Sequence, residues 1–183
     1  KETGEIVDNC RKLPQKLFEE KELSVDECVD FLNQAVSILK ERNPQVQVVI
    51  TVSPIRYAKY GFVASGLSKA TLLLATHRLL GLHPDCTTYF PAYELMNDEL
   101  RDYRFYANDM VHPSEMAIDY IWDRLVATYM DSATQADMKQ VDSIQKGLLH
   151  RPFHPDTESH QQFLAQLQQK VEAFTMKYPH IRF

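Results

Sequence analysis

Apolar residues recur at helical spacing between Ser24 and Pro44, and a helix start signal precedes them. Ser24 and Glu27 have the S-x-x-E spacing of a capping box, in which each side chain bonds a backbone N–H of the other residue. The apolar positions form one stripe, at Val25, Cys28, Phe31, Leu32, Ala35, Val36 and Leu39. This pattern predicts an amphipathic helix that ends before the proline.

Two short β-branched runs, residues 46–53 and 86–90, predict strands, and residues 55–66 predict a loop. The first run is almost continuously apolar, which is typical of a strand buried on both faces in a parallel sheet. Further helices are predicted at residues 13–20, 68–82, 94–103 and 114–130, and Trp122 is expected in the core. The alternation predicts an α/β fold in which helices flank a parallel sheet.

The character of the chain changes after Asp131, because residues 132–183 contain no strand pattern. They predict one or two polar, glutamine-rich helices, separated by Gly147 and the proline-containing segment 151–155. The last helix has a single apolar stripe, which would cover the sheet or contact another subunit in a homo-oligomer. We therefore expect an α/β domain at residues 1–131 and a helical extension at residues 132–183.

Composition narrows the classes of partner and compartment. The 183 residues are 44% hydrophobic and 25% charged, as in ordinary globular domains, and the net charge of −5 argues against nucleic acid as the main partner. No apolar run approaches ~18 residues, so no membrane span is expected. Three widely spaced cysteines without a C-x-x-C motif favour free thiols and a cytoplasmic location.

No cofactor and no metal are expected. The sequence has neither a G-x-G-x-x-G motif nor a Walker-type loop, either of which would indicate a nucleotide site. His150, His154 and His160 lie close together in the sequence. Pro152 and Pro155 interrupt any helix that would bring these imidazoles onto one face, so a solvated linker is the favoured interpretation.

Asp109 and His112 are the strongest candidates for catalysis. In a D-x-x-H turn the carboxylate can accept a bond from one imidazole nitrogen, which leaves the other nitrogen to take a proton from a nucleophile. Pro113 ends the turn, and Ser114 is expected to cap the helix that follows. The alternative is that the aspartate only caps a turn beside a half-exposed histidine.

The nucleophile itself is not identifiable from the residues. Ser53, Ser65 and Ser68 lie near the ends of predicted elements, but none of them lies in a G-x-S-x-G turn. A thiolate at Cys10 or Cys86, paired with the histidine, is a further alternative.

Arg56 follows Ser53-Pro54-Ile55 at the carboxyl end of the first predicted strand, where open α/β sheets bind ligands. Its guanidinium could hold a carboxylate or phosphate through two parallel N–H bonds, or it could form a structural ion pair. The D-x-x-H turn also falls at such an end, so we expect the two segments to converge.

Four segments occur in an order that resembles the GSCFA family, a bacterial branch of the SGNH (GDSL-like) hydrolases. They are Thr3-Gly-Glu-Ile-Val-Asp-Asn-Cys10, Thr51-Val-Ser-Pro-Ile-Arg56, Leu67-Ser-Lys-Ala-Thr-Leu-Leu-Leu-Ala75 and Asp109-Met-Val-His112-Pro-Ser114. The resemblance covers residues 1–130 and implies a three-layer α/β/α sandwich, whose N-terminal strands are expected to be missing here. It also implies ester or acyl hydrolysis by a serine, on a small acyl-ester substrate such as an acylated carbohydrate.

The same resemblance assigns roles to residues of this chain. Asp109 and His112 correspond to the orienter and the general base, and Asn9 to a site-lining oxyanion donor. The family's nucleophile lies in a Gly-Ser-Cys-Phe-Ala motif that this chain does not contain. The serine is therefore expected upstream of Lys1, and this chain alone is expected to have negligible esterase activity. The alternative function is a non-catalytic ligand-binding or interaction domain that uses the crevice lined by Arg56 and Asn9.

Overall fold

The structure, a computed structural model, describes residues 1–7 and 10–183. Its contacts divide the chain into two compact units, Lys1–Ile121 and Trp122–Phe183. The helices and strands are α1 (Val25–Arg42), β1 (Val48–Ile50), α2 (Gly61–Leu82), β2 (Thr87–Tyr89), α3 (Ala92–Glu94), α4 (Glu115–Tyr129), α5 (Ser132–Leu149) and α6 (Glu158–Lys177). The expected domain division at residue 131 stays a prediction.

The first unit contains a small parallel sheet of two strands. β1 pairs with β2 in the register Val48 to Thr87 and Ile50 to Tyr89. The parallel pairing predicted from the sequence is confirmed, and both strands are shorter than expected. The prediction that the first strand is buried on both faces is wrong, because Val49 is 45% exposed and burial alternates along the strand.

Helices α1 and α2 supply the core that lies against this sheet. Val36 of α1, Leu79 of α2 and Cys86 form a buried cluster, and Leu32 and Ile50 pack against it. The helix predicted before Pro44 is confirmed, but its apolar stripe is only partly buried. Phe31 and Leu39, which belong to the predicted stripe, are exposed, because the buried cluster contains only Val36 from this stripe, with Leu32 packed against it.

The predicted loop at residues 55–66 is wrong in its second half, since α2 already begins at Gly61. A 3-10 turn, Ala58–Tyr60, precedes the helix, and Gly61 has a φ of +87°, which a residue without a Cβ adopts at no steric cost. The backbone N–H of Tyr57 donates to the buried hydroxyl of Ser65 at 3.1 Å. This long-range bond fixes the entry to α2 and is not visible in the local pattern.

Two other elements and the burial of Trp122 differ from their predictions. Residues 13–20 contain only the 3-10 turn Gln15–Leu17, and the helix predicted at residues 94–103 consists of α3 followed by a π-helical turn, Leu95–Leu100. The π-turn ends where Arg101 takes a left-handed conformation with φ 47°. Trp122 is 50% exposed rather than buried, because it lies on a different face of α4 from the buried Ala117.

The second unit has its own core, which helices α5 and α6 supply. Ile144, Leu167 and Phe174 are buried together. Gly147 does not separate two helices as predicted but lies inside α5. A Cβ at this glycine would lie 2.7 Å from Cδ1 of Leu167, so the missing side chain allows the close approach of α6 to α5.

The capping box at the start of α1 is present in full. The backbone N–H of Glu27 donates to Ser24 Oγ at 3.2 Å, and the backbone N–H of Ser24 donates to Glu27 Oε2 at 2.9 Å. We expect Ser24→Ala to lower the free energy of unfolding by about 1 kcal/mol, measured by urea denaturation. The matched control is Ser37→Ala, the same exchange at an exposed position inside α1. An equal loss of stability in both variants would contradict a capping role.

Candidate functional site

The D-x-x-H segment lies on a turn that its own backbone closes. Tyr106 and Pro113 form an isolated antiparallel bridge on either side of it. The backbone N–H of Ala107 donates to the carbonyl of His112 at 2.8 Å. Met110 takes a left-handed conformation with φ 60°, which a residue with a side chain adopts only where its surroundings hold it there. The turn therefore presents its side chains in a defined arrangement.

The Asp109 carboxylate organises this turn through three hydrogen bonds. Its Oδ1 accepts the backbone N–H groups of Val111 at 2.9 Å and His112 at 3.0 Å, and its Oδ2 lies 2.6 Å from Nδ1 of His112. The two backbone bonds and the imidazole bond lower the pKa of the Asp109 carboxyl to about 2. The carboxylate is thus ionised near neutral pH and can only accept hydrogen bonds.

This geometry fixes the tautomer of His112. Because the Asp109 carboxylate has no proton to donate, Nδ1 of the imidazole must carry the hydrogen, and Nε2 of the neutral ring is an acceptor. Among residues 1–7 and 10–183, Nε2 has no hydrogen-bond partner. The His112 side chain is 59% exposed and that of Asp109 is 51% exposed, so a reacting group can approach the ring.

Arg56 lies against the same turn. Its backbone N–H donates to the carbonyl of Val111, the residue before His112, at 3.1 Å. The segment that follows β1 therefore meets the D-x-x-H turn. The Arg56 side chain is half-buried, and Cζ of its guanidinium lies 4.2 Å from the ring centre of Tyr106 and 5.8 Å from those of Phe62 and Tyr103.

The ion pair that the sequence left open for Arg56 is not formed with any carboxylate in the part of the chain that the structure describes. The side chain instead makes cation–π contacts with aromatic rings. No described residue accepts a hydrogen bond from its N–H groups, which have the fork geometry that suits a planar anion.

Lys69 of α2 is a further cation near this segment. Its Nζ donates to the carbonyl oxygen of Ser53, and partial burial lowers the pKa of the ammonium group. Its position inside the predicted helix at residues 68–82 gave no indication of this role, because the contact with Ser53 spans sixteen residues.

Ser53, Ser65 and Cys86, which were weighed as nucleophiles, have structural roles in the first unit. Ser53 Oγ accepts the backbone N–H of Ile55 at 3.3 Å, and the Ser65 hydroxyl is buried. Ser114 Oγ accepts the backbone N–H of Ala117 at 3.4 Å, as expected of a helix cap. Cys86 is part of the core of the first unit. Asn9, the expected oxyanion donor, lies outside the described residues.

The three histidines near the second unit's helices do not form a set of ligands. His150 ends α5, His160 lies in α6, and their ring centres are 6.4 Å apart. No three side chains of the metal-binding types cluster within the described ranges. No helix among the described residues is both long enough and apolar enough to cross a membrane.

Comparison with protein families gives two matches. The model of the GSCFA family matches residues 1–125, and that of the GSCFA domain protein, C-terminal domain, matches residues 141–183. Neither the curated proteins nor the solved structures contain a match to this chain. The first family match covers more than half of the chain and includes the D-x-x-H turn, the Arg56 segment and Lys69. The chain therefore belongs to the GSCFA family.

Proposed function

We propose that this chain carries the general base of a serine hydrolase of the SGNH type, which acts on an ester or acyl substrate. The observation that carries the proposal is the bond between His112 Nδ1 and Asp109 Oδ2 at 2.6 Å, with Nε2 open on an exposed ring. This is the arrangement that base and orienter need in acyl transfer. Membership of the GSCFA family supports it, since the resemblance implies this activity.

The reaction proceeds in two halves, and in each half His112 first takes a proton and then gives it up. Nε2 accepts the proton of the serine hydroxyl while the serine oxygen bonds to the carbonyl carbon of the ester. The imidazolium then gives this proton to the leaving alcohol oxygen as the ester C–O bond breaks. Water repeats the sequence on the acyl-enzyme and releases the acid. The ionised Asp109 stabilises the imidazolium in both halves.

The nucleophile in this proposal is a serine upstream of Lys1. The Gly-Ser-Cys-Phe-Ala motif does not occur in these 183 residues, and Ser53, Ser65 and Ser114 have structural hydrogen bonds. Oxyanion donors are needed as well, and their loss alone typically lowers rates ~10²–10³-fold. Residues 1–183 by themselves are accordingly expected to have negligible esterase activity.

The SGNH sandwich is part of the same proposal. β1 and β2 each pair with only one strand among the described residues, so each has an edge at which a further parallel strand can bond. Val49, half-exposed on one face of β1, gives an apolar surface for a third layer. A small acyl ester, for example an acylated carbohydrate, is the substrate class that the family resemblance implies.

Fluorophosphonate labelling of the complete protein tests this function. These reagents phosphonylate a serine that an adjacent base activates. We expect one labelled serine upstream of Lys1, identified by peptide mapping, and no label in a His112→Ala variant. A folded protein that takes no label would contradict the hydrolase and favour the non-catalytic binding domain. A label on Ser53, Ser65 or Ser68 would refute the upstream nucleophile.

A further inference from the structure

We propose that Arg56 and Lys69 form an oxyanion-binding subsite next to the D-x-x-H turn, and that the substrate carries a carboxylate or phosphate group there. The identification of this ligand as a substrate rests on the proposed hydrolase function. The binding of the anion itself does not. Carboxylate and phosphate groups bind in the same way, because each presents two or more oxygens that accept hydrogen bonds from a cation.

The first support is the way in which Arg56 is held. Tyr106, Phe62 and Tyr103 contact the guanidinium through cation–π geometry, at 4.2 to 5.8 Å. Such contacts orient the planar group but leave its N–H donors unused. No described residue accepts a hydrogen bond from this guanidinium. An arginine that is fixed in orientation and keeps its donors available is suited to a bidentate bond with an anion.

The second support is that Lys69 is also without a carboxylate partner among the described residues. It is partly buried, and its Nζ donates to the carbonyl oxygen of Ser53, three residues before Arg56. A partly buried ammonium group that has no counter-charge is unfavourable, and a bound anion would offset that cost. Arg56 and the Ser53 carbonyl that Lys69 contacts therefore lie in one short segment, which follows β1.

The third support is the contrast with other cations of the first unit. Several of them are paired with carboxylates: Lys21 with Glu27, Lys40 with Asp85, Lys59 with Glu20, Arg78 with Asp26 and Arg104 with Asp102. The acid nearest in sequence to the Arg56 contact is Asp109, and its oxygens already bond the turn and the imidazole. Arg56 and Lys69 therefore form no ion pair in the part of the chain that the structure describes.

Titration of the complete protein with succinate and with inorganic phosphate tests the subsite. The readout is the NMR signal of the Arg56 Nε–H and of the Val111 amide. We expect saturable shifts in the millimolar range. The anion that binds more tightly identifies the group that the site prefers. Shifts that rise linearly without saturation, for both anions, would overturn the proposal.

Matched variants separate the subsite from general charge effects. Arg56→Gln is expected to weaken binding at least ~10-fold, because it removes the charge and the fork of donors. Arg104→Gln removes an arginine that is paired with Asp102 in the same unit and is expected to leave binding unchanged. Lys69→Met, a substitution inside α2, is also expected to weaken anion binding, and it replaces Arg56→Gln as the test if that variant does not fold. Equal binding by Arg56→Gln and the native protein would refute the assignment.

His112→Ala distinguishes a failure of this proposal from a failure of the proposed function. In this variant anion binding should persist while hydrolysis is lost. If hydrolysis survives the exchange, the hydrolase mechanism is wrong and the subsite stands on its binding data. In the active protein, Arg56→Gln should raise KM for an ester with a free carboxylate, such as a hemisuccinate, and leave KM for a neutral acetate ester unchanged.

Discussion

Replacement of His112 by alanine is expected to lower kcat/KM for ester hydrolysis by the complete protein roughly 10⁴-fold. The reason is geometric, because the Asp109 bond commits Nδ1 and leaves Nε2 as the acceptor of the serine proton. Without the imidazole, the hydroxyl must lose its proton to water while it attacks. Steady-state rates on a neutral ester and on an ester with a free carboxylate measure the effect.

The His112 exchange should not affect folding, because the side chain is 59% exposed and bonds only Asp109. The urea midpoint of the variant is therefore the first control. His77→Ala is the second, since it removes an exposed histidine from α2 in the same unit. If the His112 variant hydrolyses the ester at the native rate, the turn has a structural role only. This is the alternative interpretation, in which Asp109 only caps the turn.

Replacement of Asp109 by asparagine is expected to lower kcat roughly 10³–10⁴-fold. An amide nitrogen that faces Nδ1 donates a hydrogen, so the imidazole proton moves to Nε2, and His112 can no longer accept a proton from the serine. The amide oxygen can still accept the backbone N–H groups of Val111 and His112. The turn should therefore persist, and circular dichroism with urea unfolding checks this.

The low pKa of Asp109 gives an expectation for how the rate of hydrolysis depends on pH. The pKa of Asp109 is lowered to about 2, so its stabilising contribution is present above its ordinary pKa of ~3.9 and is lost only as the pH falls toward 2. Asp109 is therefore expected to stay ionised in mildly acid solution, so its protonation should not lower the rate of hydrolysis there. If Asp109→Asn abolishes the change of rate with pH in mildly acid solution but keeps the native rate, the assigned roles are wrong.

Local signals in the sequence predicted much of the fold correctly. The capping box of Ser24 and Glu27 places the start of α1, because both partners lie within four residues of each other. The parallel pairing of β1 with β2 follows from two β-branched runs with a helix between them. Asp109 and His112 were found in the same way, since the turn brings together groups three residues apart.

Contacts between distant segments explain the errors. The start of α2 depends on the bond from Tyr57 to Ser65, and the exposure of Trp122 depends on which face of α4 packs. Gly147 predicts a helix break from the sequence, but it lies inside α5, where the absence of a side chain leaves room for Leu167. Leu167 is remote from Gly147 in the sequence and the bond from Tyr57 to Ser65 spans eight residues, so neither contact is visible in a local pattern.

Local patterns in the sequence predicted helices α1 and α4, the parallel strand pair, the family and the contact between Asp109 and His112, because these depend on periodicity, motif order and neighbours along the chain. Only the tertiary structure decided what surrounds them. It joined the Arg56 backbone to the turn of His112, placed the Arg56 guanidinium against Tyr106 and placed Lys69 against Ser53. These contacts depend on how α2 and the loops after β1 fold back on one another, which no local pattern encodes.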